Sequence, residues 1–335
     1  MIQTVTFDDV LLQPQYSEII SRKSIDIGSS LSENIMLDLP IIAAPMDTVT
    51  NSYLINQMNK QGAMGVLHRY NSTHDQVRAL KTIDGLKAAA VGVTGDYADR
   101  ALKLVEAGAS VVCVDVAHAH HALVKHALKV LRNTIGHDIH IMVGNVATLQ
   151  AFNDLADWGA DSIKVGIGGG SICSTRIQTG HGIPTLQSVM NCSQSDRDVK
   201  LIADGGIKNS GDMVKALAAG ADFVMVGSLI AGTIEAPGES ITINGRAYKK
   251  YRGMASVEAQ IDWRGHSSSI EGVSQMIPAK GRLEKVLNNL EAGIRSGFSY
   301  TGALNIVELQ SKAKFIKQTS AGLYESRTHV RDRFG

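Results

Sequence analysis

The chain has 335 residues, 44% of them hydrophobic, and a formal net charge of +1. That length allows one large domain or two small ones, and that charge supplies none of the strong positive field that nonspecific binding to nucleic acid or an anionic membrane requires, so neither is expected as a partner. Three widely spaced cysteines, no apolar run of membrane-spanning length and no basic-then-apolar start point to a cytoplasmic protein without a disulfide framework or a zinc site.

Residues 1–40 form an extension ahead of any repeat, in which Thr6–Pro14 reads as a short strand or turn ended by proline. Apolar, β-branched runs then begin near Ile41, Met64, Leu86, Val111, Ile139, Ser162, Lys200 and Asp222, mostly about 22–28 residues apart, each followed by a helical-period segment such as Tyr97–Ala107 or Met213–Ala219. Gly62, Gly108, Gly159 and Gly220 each stand just before a strand, where a helix C-cap favours glycine. Eight such units predict a parallel sheet closed into a (β/α)8 barrel, and one barrel domain over 1–335.

Chemistry in such a barrel lies at the strand C-terminal ends. These are Ala44–Asp47, His68–Tyr70, Asp115 with His118, Gly144-Asn145, the loop Gly166–Thr175, Asp204–Gly206 and Gly227-Ser228. The Gly166–Arg176 run frees its backbone to turn N–H groups toward one point, as a phosphate cradle does, and carries Cys173 three residues past the glycines. A phosphorylated small molecule held over a nucleophilic thiol follows, against the plainer alternative of a flexible loop and a packed cysteine. Gly206, Gly227 and Ser228 can join Ser171 around that phosphate, and Asp204 is placed to accept ribose hydroxyls. His118, His120 and His121 are read as cleft or helix-cap residues rather than metal ligands, having no carboxylate at matched geometry.

After the eighth unit, Ser240–Lys249 alternates around Asn244-Gly245, a type I′ hairpin signal. Asp262–Ser274 has neither period and is expected to be a mobile flap, giving a hairpin-and-flap segment over 236–280. Helical period returns over Leu283–Arg295 and Asn305–Lys314, ahead of a polar tail over 315–335.

The Gly166–Arg176 run resembles the active-site loop of the IMP dehydrogenase and GMP reductase family, with Gly169 where many members have proline. Phe7–Leu12, Ala44–Val49, Gly144–Val146, Ala203–Gly206, Gly232–Gly238 and Tyr251–Met254 extend the resemblance over nearly the whole chain. The resemblance implies a purine mononucleotide site beside a nicotinamide site. Cys173 would bond to purine C2. Met46, Ser171, Gly205, Gly206, Gly227, Ser228 and Tyr251 would surround the nucleotide with Asp204 on its ribose, and Gly253, Met254 and Glu271 would touch the base. Asp115, Ala117, Asn145, Gly166 and Gly168 would border the cofactor. Within the family, the absence of CBS modules between Tyr70 and Leu86, the absence of an Arg-Tyr pair in the flap, and the pair Thr175 and Glu271 resemble the reductase branch. That branch implies NADPH-dependent deamination of GMP to IMP and ammonia. Ala117–His120 and the tail Ser320–Ser326 look more like the dehydrogenase branch. They imply a potassium ion on the carbonyls of Gly166, Gly168 and Cys173, and a homotetramer. A dehydrogenase core without CBS modules, a reductase for a modified guanine nucleotide, and a nucleotide-binding protein without catalysis remain as alternatives.

Overall fold

The computed structural model describes residues 2–326 and holds eight parallel strands in a closed barrel. They are β1 (Ile41–Ala43), β2 (Met64–Leu67), β3 (Ala88–Val91), β4 (Val111–Asp115), β5 (His140–Val146), β6 (Ser162–Val165), β7 (Lys200–Asp204) and β8 (Phe223–Val226). Each pairs with its neighbours in chain order, and β8 closes on β1 through Val224 against Ile41. Helix starts follow local chemistry: Asn51, Ser72, Thr148 and Asn209 each accept a backbone N–H in the first turn of the helix that follows. The ends do so too, since Gly62, Gly108, Gly159 and Gly220 all take positive φ, from +68° to +110°.

Two apolar layers result. Outward residues of the strands pack on the helices in one large cluster, while Ile42, Met64, Val66, Val111, Met142, Ile202 and Phe223 fill the barrel interior. Leu31, Ile35 and Leu37, from the antiparallel pair Ser29–Ser32 and Ile35–Leu37, belong to that inner cluster. The N-terminal extension therefore packs against the barrel interior.

The sequence reading holds to within a few residues, with three differences. The helix expected to end at Arg295 runs over Leu283–Thr301, because Leu290, Ile294 and Phe298 continue its buried stripe. The flap expected over Asp262–Ser274 is partly ordered: its first residues close the helix Val257–Arg264, capped by Gly265 at φ +77°. Its last residue opens β11 (Ser274–Pro278), which pairs with β10 (Arg246–Arg252), itself hairpinned to β9 (Ser240–Ile243) through Asn244 and Gly245, both at positive φ. Buried Gln260 ties the segment together, donating to the carbonyls of Ala255, Ser256 and Ser269 and accepting from Ser268 N–H. Of the tail, Phe315–Lys317 pairs with Val10–Leu12, and residues 327–335 lie outside the described part. No helix of the described residues is long and apolar enough to cross a membrane.

Burial leaves one titration signature. His140 is 5% exposed, bonded through Nε2 to Ser162 Oγ at 2.8 Å, and burial pushes its pKa down to about 4. The unfolded chain then binds a proton at His140 between about pH 6.5 and 4 that the folded chain refuses, so stability is lost as pH falls through that window. Urea unfolding is expected to show His140 removing about 2 kcal/mol between pH 7 and 4.5. In His140→Gln that part of the slope should vanish; identical slopes for the two proteins would contradict it.

Candidate active site

Each residue that the resemblance assigns to catalysis, mononucleotide or cofactor lines one cavity of about 660 Å³ at the C-terminal ends of the strands. The loop after β6 crosses its centre, and the loop's glycines are set by packing as much as by ligand. A Cβ on Gly166, at φ +147°, would stand 1.9 Å from the Asp204 carbonyl oxygen, and one on Gly168 would stand 2.5 Å from Arg176 Cγ. Gly169 has no room either: its Cβ would meet Thr185 Oγ1 at 2.4 Å.

Cys173 is half-buried, and its thiol donates to Thr175 Oγ1 at 3.1 Å. Thr175 Oγ1 in turn donates to Glu271 Oε2 at 2.8 Å. Three backbone and side-chain bonds hold this line together: Ser174 N–H to the Glu271 carbonyl (3.0 Å), Ser174 Oγ to the Ile270 carbonyl (3.0 Å), and Val273 N–H to the Ile172 carbonyl (3.0 Å). The other two cysteines are unsuited to nucleophilic work, since burial pushes both Cys113 and Cys192 up to about 12.

On one side of the thiol, Ser171 Oγ lies 3.4 Å from the Tyr251 hydroxyl, whose ionisation burial opposes, so it stays a neutral donor. Gly227 faces the same point, its would-be Cβ 3.2 Å from Tyr251 Oη and from Met46 Sδ. Below the thiol, Asp204 Oδ2 accepts Asn145 Nδ2 at 2.8 Å, and Asn145 also donates to the Gly166 carbonyl at 2.8 Å.

Between Asp115 and Asp204 lies Lys164, which the sequence reading did not single out. It is 2% exposed, its ammonium bonds to Asp115 and lies 3.7 Å from Asp204 Oδ2. Burial opposes its charge, but Asp115 and then Asp204 outweigh burial and raise its pKa. Burial likewise pushes Asp204 up, against the pull of Lys164 and the Asn145 bond. A lone basic residue inside the apolar strand Ser162–Val165 was the signal available. Arg252 was missed as well: it bonds to Asp47 Oδ2 at 2.5 and 2.9 Å and to Asp262 Oδ2 at 2.5 Å, fixing the flap helix to the loop after β1.

Of the histidines, His121 caps the helix Ala122–Ile135 through Nδ1, and His120 Nε2 lies 2.8 Å from Asp154. Among the described residues no set of three His, Cys, Asp or Glu side chains gathers as a metal site.

The comparisons with known proteins agree with this geometry. Residues 4–329 match the family model of the IMP dehydrogenase / GMP reductase domain. An inosine-5′-monophosphate dehydrogenase of Cryptosporidium parvum is 36% identical over 383 residues, covering 97% of this chain and 94% of its own. A GMP reductase of Leishmania major is 31% identical over 474 residues, covering 97% and 96%. A crystal structure of a Cys-to-Ala variant of GMP reductase from Trypanosoma brucei, in complex with guanosine 5′-monophosphate, superposes with a TM-score of 0.93 at 30% identity and covers 98% of each chain. The Leishmania alignment is much longer than this chain and the Cryptosporidium one is only slightly longer, so a large insertion occurs in a reductase and is missing from a dehydrogenase. Its absence here therefore does not separate the two branches. With a family match over nearly its whole length, and a closed barrel whose strand ends gather the expected residues round Cys173, the chain belongs to the IMP dehydrogenase / GMP reductase family of oxidoreductases.

Proposed function

We propose that the protein is an NADPH-dependent GMP reductase that converts GMP to IMP and ammonia through a covalent bond between Cys173 and purine C2. The observation that carries this reading is the continuous donor line from Cys173 Sγ through Thr175 Oγ1 to Glu271 Oε2. It moves one proton in both directions. As the sulfur attacks C2, the thiol proton passes through Thr175 to the Glu271 carboxylate; the same proton then returns through Thr175 to the 2-amino group, which leaves as ammonia. What remains is a thioimidate whose C2 is electrophilic, whereas a 2-aminopurine is a poor hydride acceptor. When bound, reduced nicotinamide supplies that hydride, and collapse of the C–S bond releases IMP with the sulfur leaving as thiolate. Hydrolysis toward XMP would need a further base to activate water, and between Met254 and Glu271 the chain has Trp263-Arg264 and no Arg-Tyr pair.

In this reading Ser171, Gly206, Gly227, Ser228 and Tyr251 hold the phosphate, with Gly205 and Met46 closing around the nucleotide, and Asp204 holds the ribose. Gly253 and Met254 flank the base. Asp115, Ala117, Asn145, Gly166 and Gly168 border the nicotinamide, in a cavity that continues past them to the ends of β2 and β3. A potassium ion on the carbonyls of Gly166, Gly168 and Cys173, a homotetramer and a cytoplasmic setting complete the proposal, and no step of the chemistry runs through the cation.

Cys173→Ala should lose turnover while keeping GMP affinity within about tenfold, because the phosphate and ribose contacts lie elsewhere. Calorimetry and turnover on one sample measure both, and retained activity would remove covalent catalysis. Glu271→Gln is expected to slow GMP reduction by about 10²-fold or more and to slow hydride transfer between IMP and oxidised cofactor less. Rapid-quench measurement of the two half-reactions decides, and equal losses would place Glu271 outside the deamination step. Lys164→Met leaves two partly buried carboxylates without their cation and should cost about 2 kcal/mol in urea unfolding, unless one of them takes up a proton. It should also weaken GMP binding; unchanged stability together with unchanged affinity would show that Lys164 does not govern Asp204.

A further inference from the structure

The chain leaving β8 makes a single helical turn. The Gly227 carbonyl accepts Ala231 N–H at 2.8 Å and Ile230 N–H at 3.2 Å, and Gly232, at φ +84°, stops the turn. A Cβ on Gly232 would stand 3.0 Å from the Pro278 carbonyl oxygen, so the stop is enforced by β11 lying against it. Had the helix continued, the carbonyls of Ser228 and Leu229 would be covered by N–H groups one turn further on. Thr233 N–H instead turns to the Ile230 carbonyl at 3.2 Å, and a side chain covers the other two. Lys280 Nζ donates to the Ser228 carbonyl, and to that of Leu229 at 3.2 Å.

Lys280 reaches them from a fixed point. Its own N–H donates to the Gly232 carbonyl at 2.8 Å, and the carbonyl of the next residue, Gly281, accepts Ile234 N–H at 2.8 Å. A second lysine works on the same segment and makes a useful contrast. Lys249, in β10, is 8% exposed and donates to the carbonyls of Thr233 (3.0 Å), Ile234 (3.4 Å) and Ala236, with the carboxylate of Glu235 offsetting part of the cost of its burial. Lys280 has no such counter-charge: packing around its ammonium pushes its pKa down, and among the described residues no carboxylate pulls it back. Gly227 and Ser228 line the cavity and Lys280 does not. An unpaired positive charge therefore stands behind the cavity wall, bonded to the main chain of a residue that forms it.

We infer that Lys280 is a positioning residue for the mononucleotide phosphate, fixing Ser228 through the carbonyls of Ser228 and Leu229 and supplying that turn with a positive charge that only the ligand's phosphate answers. This rests on the reading of Gly227 and Ser228 as phosphate contacts. A lysine that served the fold alone would act on every ligand of the site alike, whereas a charge held behind Ser228 acts on the phosphate and leaves base and ribose untouched.

Calorimetry with GMP, ribose 5-phosphate and guanosine separates the two cases. Lys280→Met is expected to weaken GMP and ribose 5-phosphate by about tenfold each and to leave guanosine within about twofold, so that guanosine reports a folded site. Lys280→Gln, which is uncharged but keeps a donor, should show the same selective loss, and Lys280→Arg, which keeps the charge, should recover most of it. In turnover by Lys280→Met, KM for GMP should rise by more than kcat falls. Equal weakening of all three ligands, or unchanged affinity for both phosphates, would overturn the role of Lys280 while leaving the reductase reading intact. Unsubstituted protein that binds guanosine as tightly as GMP would overturn the placement of the phosphate on which the inference rests.

Discussion

The Lys164 ammonium, enclosed at the floor of the barrel mouth, is the constraint on which the site depends. A charge so placed is tolerated only where opposite charge meets it, and Asp115 from β4 and Asp204 from β7 do so from either side of β6. The consequences spread outward. Gly144 in β5 is glycine because a Cβ there would stand 2.4 Å from Lys164 Cβ. The next residue, Asn145, holds both Asp204 and the Gly166 carbonyl, so the loop that carries Cys173 is referenced to the same cation. Asp204, Asp115 and the loop that carries Cys173 are in this way fixed relative to one buried group.

The barrel was legible because its signals are local. Apolar runs with glycine before each strand report on main-chain demands that hold wherever the strand is placed, and the Asn244-Gly245 turn is equally self-contained. The site's rim was legible for a topological reason, since the strand ends of a barrel converge. What escaped was whatever depends on a partner distant in sequence. Lys164 meets Asp115 across 49 residues, and Arg252 meets Asp47 across 205. The flap escaped for a related reason: Gln260 satisfies its backbone from one side chain, a bond set that leaves no periodicity to read.

The glycine loop shows how one pattern can serve two causes. Four glycines before a cysteine read as a phosphate cradle, and the loop does border the cavity. Yet Gly166, Gly168 and Gly169 are each required by a close neighbour, the Asp204 carbonyl, Arg176 and Thr185. Thr185 opens the helix Thr185–Cys192, so the space that a side chain at Gly169 would need is taken by the start of that helix. Similarly, the presence or absence of a long insertion does not sort relatives by reaction, whereas the contacts among Cys173, Thr175 and Glu271 belong to the site itself.

The central claim is the direction of that chemistry, and wild-type turnover measures it without any variant. GMP with NADPH in one reaction and IMP with NAD in another are followed at the nicotinamide absorbance band, with products separated by chromatography. The account predicts cofactor oxidation with stoichiometric IMP and ammonia in the first, and little reaction in the second. Efficient formation of XMP and reduced cofactor from IMP, with GMP inert, would contradict it and assign the Cys173–Thr175–Glu271 line to a dehydrogenase.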